Sequence, residues 1–274
     1  MVSEEYNING KKLVLDRFLR MKLDNVKKIL TKQWDCLFLI DGIEGSGKST
    51  LGFICAWYIS DGKITMNNIC EGTEDAINKL DSLAKGSVLI VDEGSLVFSS
   101  KDAMRREYKR IEKILNVIRQ KCMCLIIISP SFFNISKYVS SERSRFLLHV
   151  YTDRNLTRGR FTYFGEKKKK MLYSIGKRNF NSYAKPKSDW IGSFGKFELP
   201  FHEDYLEHKQ KTITTALKDR DRKIFTLPEK RSIMQPILLK IMNKLPINSQ
   251  RDLAKCLDLT EQTLSGYKKP MLEP

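Results

Sequence analysis

The chain has 274 residues, a formal net charge of +17 and 41% hydrophobic residues. That apolar content supports a sizeable core and excludes a disordered chain, and the length suits one large α/β domain with a small appended one. No apolar run exceeds strand length, which argues against a membrane span, and six cysteines without paired-finger spacing suit free thiols in a reducing cytoplasm.

Residues 1–34 read as a mostly helical lead-in, with apolar positions at Leu13, Phe18, Leu19, Val26 and Leu30. The continuously apolar Cys36–Ile40 predicts a buried strand within Asp35–Asp41. A Gly-rich turn follows, then a helix from Lys48 to about Ser60. A weaker strand near Ile64–Cys70 precedes a helix near Thr73–Leu83. Ser87–Val91 predicts a second buried strand, Ala103–Lys121 a long amphipathic helix, and Cys124–Ile128 a third buried strand. Further strands are expected at Phe146–Tyr151, Arg160–Phe164 and Lys170–Ser174, the last two as an antiparallel hairpin at a sheet edge. Strands alternating with helices imply βαβ units and a parallel sheet. The expected division is a lead-in (1–34), an α/β core (35–175), a basic extension (176–231) and a small all-α domain (232–274).

Gly42-Ile43-Glu44-Gly45-Ser46-Gly47-Lys48-Ser49 matches G-x-x-x-x-G-K-[ST] in full, between a buried strand and a helix. Glycines let backbone N–H groups turn inward around phosphate oxygens, and the helix N-terminus adds a favourable dipole. Gly42, Glu44, Gly45, Ser46, Gly47, Lys48, Ser49 and Thr50 are therefore candidate ATP-binding residues. Lys48 would reach the β/γ-phosphates and Ser49 would bind Mg²⁺. Asp92, at the end of the next apolar strand, would share that metal ion, and Glu93 could deprotonate an attacking water. A glutamate there favours water over a substrate hydroxyl as nucleophile, hence ATP hydrolysis rather than kinase chemistry. Ser129 closes the third strand, where it could sense the γ-phosphate or simply open a Ser-Pro turn. Arg143 and Arg145 are preferred over Arg105, Arg106 and Arg119 as donors to a neighbouring subunit's phosphates.

Asp41–Ser49, Val91-Asp92-Glu93, Arg119-Gln120-Lys121 and the stretch Cys124–Ser131 continue through Phe132-Phe133, Lys137-Tyr138-Val139, Arg143-Ser144-Arg145 and His149-Val150-Tyr151. Over roughly residues 33–175 this resembles the additional-strand, catalytic-glutamate division of P-loop ATPases. Within it, the pattern is similar to zonula occludens toxin-like ATPases and the HerA–FtsK group. The resemblance implies a RecA-like, mostly parallel sheet between helices, ATP and Mg²⁺ as cofactors, and a homo-oligomer of viral, phage or plasmid type. HerA–FtsK motors often carry Gln where this chain has Ser129.

Gln250–Tyr267 resembles a helix-turn-helix, with Leu253, Leu257, Leu259, Leu264 and Tyr267 at its inward positions. Gln262, Thr263 and Ser265 would face base edges, and Lys268 and Lys269 phosphates. A helical protein-interaction unit is the alternative, since Asp258 replaces the usual turn glycine and Glu261 repels DNA. Lys and Arg also interleave with aromatics between Phe161 and Trp190, which suits either a nucleic-acid backbone or a hairpin with lysines solvated outward. The basic excess, concentrated beyond residue 150, points to nucleic acid as partner, with DNA favoured over RNA but charge alone not deciding between them. The sequence thus predicts a nucleic-acid-associated ATPase that moves, packages or remodels DNA. A nucleotide or small-molecule kinase and an ATP-gated DNA-binding regulator are the alternatives.

Overall fold

The computed structural model describes residues 3–71, 73–92 and 105–210, without the side chains of 73, 74 and 105–110. Glu93 and the helix-turn-helix-like stretch, with Gln262, Thr263, Ser265, Lys268 and Lys269, lie outside the described residues. The chain divides into two compact units, Met1–Gln210 and Lys211–Pro274.

The lead-in begins as a hairpin, not a helix. Strands β1 (Ser3–Ile8) and β2 (Lys11–Asp16) pair antiparallel across Asn9-Gly10, both at positive φ. An Asn-Gly pair in that conformation closes a tight turn whose twist matches the strands. Leu13 and Leu15 are two apart and both buried, a strand period. The helical period starts only at α1 (Arg17–Thr31), where the Asp16 carboxylate caps the N–H groups of Phe18 (2.9 Å) and Leu19 (3.2 Å). Leu19, Leu23 and Val26 form the buried stripe of α1.

The main sheet comprises β3 (Cys36–Gly42), β4 (Ile69–Glu71), β5 (Val88–Asp92), β6 (Cys124–Ser129), β7 (Leu147–Tyr151), β8 (Arg160–Phe164) and β9 (Trp190–Ser193). Its order is β4-β5-β6-β3-β7-β8-β9. The run from β4 to β7 is parallel, and β8 and β9 extend it antiparallel. The central strands are apolar on both faces because helices cover both. Cys36, Phe38 and Ile40 of β3 join one core with α1 and α2 (Lys48–Ile59), while Leu37 and Leu39 join the other. That second core is completed by α3 (Thr73–Ser82), α4 (Arg105–Gln120) and α5 (Glu166–Arg178).

The strand expected at Lys170–Ser174 is instead the middle of α5. Its buried positions Lys169, Leu172, Tyr173 and Gly176 follow helical spacing, so the lysine run is the helix start rather than a charged turn. The antiparallel partners of β8 are β7 and β9. The alternation of β8 does place Phe161 and Tyr163 inward, with Thr162 half-buried between them. The segment beyond 176 also belongs to the first unit. β9 completes the sheet, and Phe194, Phe197, Leu199 and Tyr205 are buried in the core, so no separate linker starts at 176. No helix among the described residues is long and apolar enough to cross a membrane.

Lys169 is fully buried, and its ammonium donates to the carbonyls of Ser140 (2.6 Å) and Ser144 (2.5 Å) at the end of a π-helical turn, Tyr138–Arg143. Burial lowers its pKa to about 8. The unfolded chain therefore binds more protons than the folded one between about pH 8 and the ordinary lysine value of 10.5, and stability contributed here rises with pH across that window. The melting temperature of wild type minus that of Lys169→Met should accordingly increase from pH 8 to pH 10. A flat difference would show that Lys169 titrates alike in both states.

Candidate phosphate-binding site

The segment after β3 must turn sharply into α2. Gly42 (φ +145°), Gly45 (φ +73°) and Gly47 (φ +99°) supply backbone conformations that side chains disfavour. At Gly42 an added Cβ would lie 2.0 Å from the Val150 carbonyl oxygen, so β7 presses directly on the loop. Gly47 ends the loop as the left-handed N-cap of α2. The Ser46 hydroxyl donates to the Ile43 carbonyl at 2.8 Å, and the Lys48 ammonium donates to the same carbonyl at 2.8 Å. Ile43, Glu44 and Gly45 form an exposed tip, whereas Ser46 and Lys48 are buried and Ser49 and Thr50 half-buried in the first turn of α2. The result is a Gly-rich loop at a helix N-terminus with a lysine folded over it, which suits a phosphate chain.

β6 lies between β3 and β5, with Asp41 level with Ser129. This brings Asp92 to the loop from one strand further away. The Ser49 hydroxyl donates to Asp92 Oδ1 at 3.3 Å. One hydroxyl and one carboxylate in contact suit Mg²⁺, a hard ion that keeps oxygen ligands and takes most of them from phosphates and water. Asp92 is 1% exposed, and its Oδ2 accepts from the Tyr205 hydroxyl and, at 2.9 Å, from the Lys209 ammonium. Burial alone would lower the Lys209 pKa, but the Asp92 carboxylate more than offsets it and the net shift is upward. Burial, then Asp92, pushes the Tyr205 pKa up as well. Tyr205 and Lys209 sit one turn apart on the helix spanning 202–210, and Tyr205 packs edge-on against Phe53 of α2. Nothing in the sequence links residues 205 and 209 to position 92; only their i, i+4 spacing was visible there.

Ser129 is buried at the end of β6, and its hydroxyl donates to the Ser131 carbonyl at 3.1 Å. It stands at the strand end between the loop strand and the acid strand while closing the turn that follows.

Asp41, just before the loop, is a second buried carboxylate. It accepts from the Phe132 N–H (2.9 Å) and the Tyr183 hydroxyl, and lies 3.0 Å from His149 Nδ1. His149 stacks on Tyr183 with centroids 3.8 Å apart. Burial and then Asp41 push the Tyr183 pKa well up. This network ties the ends of β3 and β7 to the turn after β6, and so braces the base of the phosphate loop.

Arg143 and Arg145 sit elsewhere. Arg143 pairs with Asp35 at 2.7 Å, and the Arg145 guanidinium donates to the Asp35 carbonyl at 3.3 Å. Asp35 precedes β3, so both arginines lie at the opposite end of the sheet from the loop of their own chain. A different arginine stands at the loop: a guanidinium nitrogen of Arg158, between β7 and β8, is 3.9 Å from where a Gly45 Cβ would be.

The strand order, with the acid strand one removed from the loop strand, and the loop itself define an α/β fold of the P-loop NTPase class. No protein-family model and no curated protein sequence matches the chain. Among solved structures, the genome packaging NTPase B204 of Sulfolobus turreted icosahedral virus 2 is similar at 16% identity over 48% of this chain and 93% of that one, with a TM-score of 0.37. The N-terminal domain of zonular occludens toxin from Neisseria meningitidis matches at 14% identity over 62% of this chain and 98% of that one (TM-score 0.37). RuvB from Thermotoga maritima matches at 18% identity over 94% and 88% (TM-score 0.36). Likenesses this loose say nothing about chemistry.

Proposed function

We propose that this chain hydrolyses ATP and works on nucleic acid, as an oligomer. The observation that carries the reading is the contact of Ser49 in the loop with Asp92 across the intervening strand, beside a lysine poised over the loop. The N–H groups of the loop and the α2 N-terminus would hold the phosphate chain, with the Lys48 ammonium moved from the Ile43 carbonyl onto phosphate oxygens. Ser49 and Asp92 would hold Mg²⁺, which when bound neutralises charge on the phosphates. Asp92 is fixed by its Lys209 and Tyr205 partners. Glu93, next in sequence, is suited to take a proton from the attacking water, and Ser129 to orient it.

Support for a nucleic-acid partner comes from charge. α5 carries Lys167, Lys170, Lys177 and Arg178 exposed, and Lys137 joins the last three around a groove that has Glu142 as its acidic member. A surface with that balance attracts a phosphate backbone. The test is phosphate release by wild type and Glu93→Gln, with and without single- or double-stranded DNA. Wild type should release phosphate without any small-molecule acceptor and be stimulated by DNA. Glu93→Gln should bind ATP yet turn over about a hundred-fold more slowly. Release only in the presence of an acceptor would make the chain a kinase, and indifference to DNA would remove the nucleic-acid half of the proposal.

A further inference from the structure

Strand β7, the β7–β8 connection and the residue after β9 touch the phosphate loop at three successive points. The Val150 carbonyl closes on Gly42, the Arg158 guanidinium stands over Gly45, and the ring of Phe194 lies 3.5 Å from the Cβ position of Gly47. Phe194 is bound to this connection through its N–H, which donates to the Gly159 carbonyl at 2.9 Å. The tip between β7 and β8 is itself a built turn. Asp153 Oδ1 accepts from the N–H groups of Asn155 (3.0 Å) and Thr157 (2.9 Å), and these bonds hold its carboxyl below the usual range. Such side-chain-to-backbone bonds fix a loop without a strand partner. Arg158 follows directly, is exposed, and makes no hydrogen bond or ion pair among the described residues. A guanidinium next to a phosphate-binding loop and without a carboxylate partner matches phosphate oxygens in geometry and charge.

Its direction of approach says which part of the nucleotide it serves. β6 and β5, with Ser129 and Asp92, flank β3 on one side, and β7 flanks it on the other. We propose that Arg158 holds the nucleotide from the flank opposite Asp92, contacting the diphosphate common to ATP and ADP rather than the terminal phosphate. The inference rests on the nucleotide reading of the loop and adds to it a residue for affinity. Arg158 then does not discriminate ATP from ADP; that task stays with the Asp92 flank.

Equilibrium binding of fluorescent ADP and of ATPγS to wild type, Arg158→Ala, Arg158→Lys and Lys48→Ala tests this, with melting curves as a folding control. Arg158→Ala should weaken both nucleotides by a similar factor, about ten-fold. Arg158→Lys should recover part of the loss, with melting of the free protein unchanged. Loss confined to ATPγS, or no loss while Lys48→Ala abolishes binding, overturns the inference and leaves the nucleotide reading standing. Binding undiminished in Lys48→Ala, or no binding by wild type, overturns the nucleotide reading of the loop itself.

Discussion

Asp92→Asn is expected to lower Mg²⁺-dependent phosphate release by about a hundred-fold or more, while also lowering stability. The two carboxylate oxygens are used differently: Oδ1 accepts from Ser49, and Oδ2 from Tyr205 and Lys209. An asparagine has one accepting oxygen. Its amide nitrogen must face either the Ser49 hydroxyl, which can turn to accept but then no longer meets an oxygen, or the Tyr205–Lys209 pair, where the ammonium can only donate. The Lys209 ammonium also loses its counter-ion. A buried pair broken on one side costs about 3–5 kcal/mol, but the Lys209 side chain is 31% exposed and can turn to water, so about 1–3 kcal/mol is expected. Urea titration checks the stability change, and Mg²⁺ titration of phosphate release checks the chemistry. Full activity in Asp92→Asn would show that the carboxylate has no part in metal binding. Unchanged stability would show that the Lys209 contact contributes nothing.

The second large effect is structural. Gly42→Ala should cost on the order of 3–5 kcal/mol, because the new methyl group meets a backbone carbonyl at 2.0 Å and neither strand can yield cheaply. The φ of +145° adds strain of its own. Gly45→Ala provides the comparison. It also has positive φ, but the nearest atom is the end of a flexible arginine at 3.9 Å, so backbone strain of about 1 kcal/mol is the whole cost. Denaturant midpoints for the two variants should therefore differ widely. Equal midpoints would mean that β7 does not press on the loop as described.

Much of the site was legible in the sequence because its parts are local. A phosphate loop is a run of consecutive residues whose glycines, lysine and serine must sit at fixed spacing, and a buried parallel strand is a run of apolar ones. Asp92 was legible for the same reason, as the first acid after such a run. The lead-in and α5 were harder. In the first, a strand period changes to a helix period at Asp16, so no single period spans the segment. In α5, lysines hide a buried stripe that includes one of the lysines, Lys169. Its burial is tolerated only because carbonyls from a distant turn meet its ammonium.

The phosphate loop, the acid strand and the alternation of strands and helices follow from spacing along one chain, which local sequence carries. The tertiary structure alone decided which strand lies between the loop and the acid, and that Arg143 and Arg145 fall at the far end of the sheet while Arg158 reaches the loop. It alone brought Tyr205 and Lys209 onto Asp92, and Tyr183 and His149 onto Asp41. Those pairings join residues more than a hundred positions apart. They follow from strand order and from the need of each buried carboxylate for donors, and neither is written in local spacing.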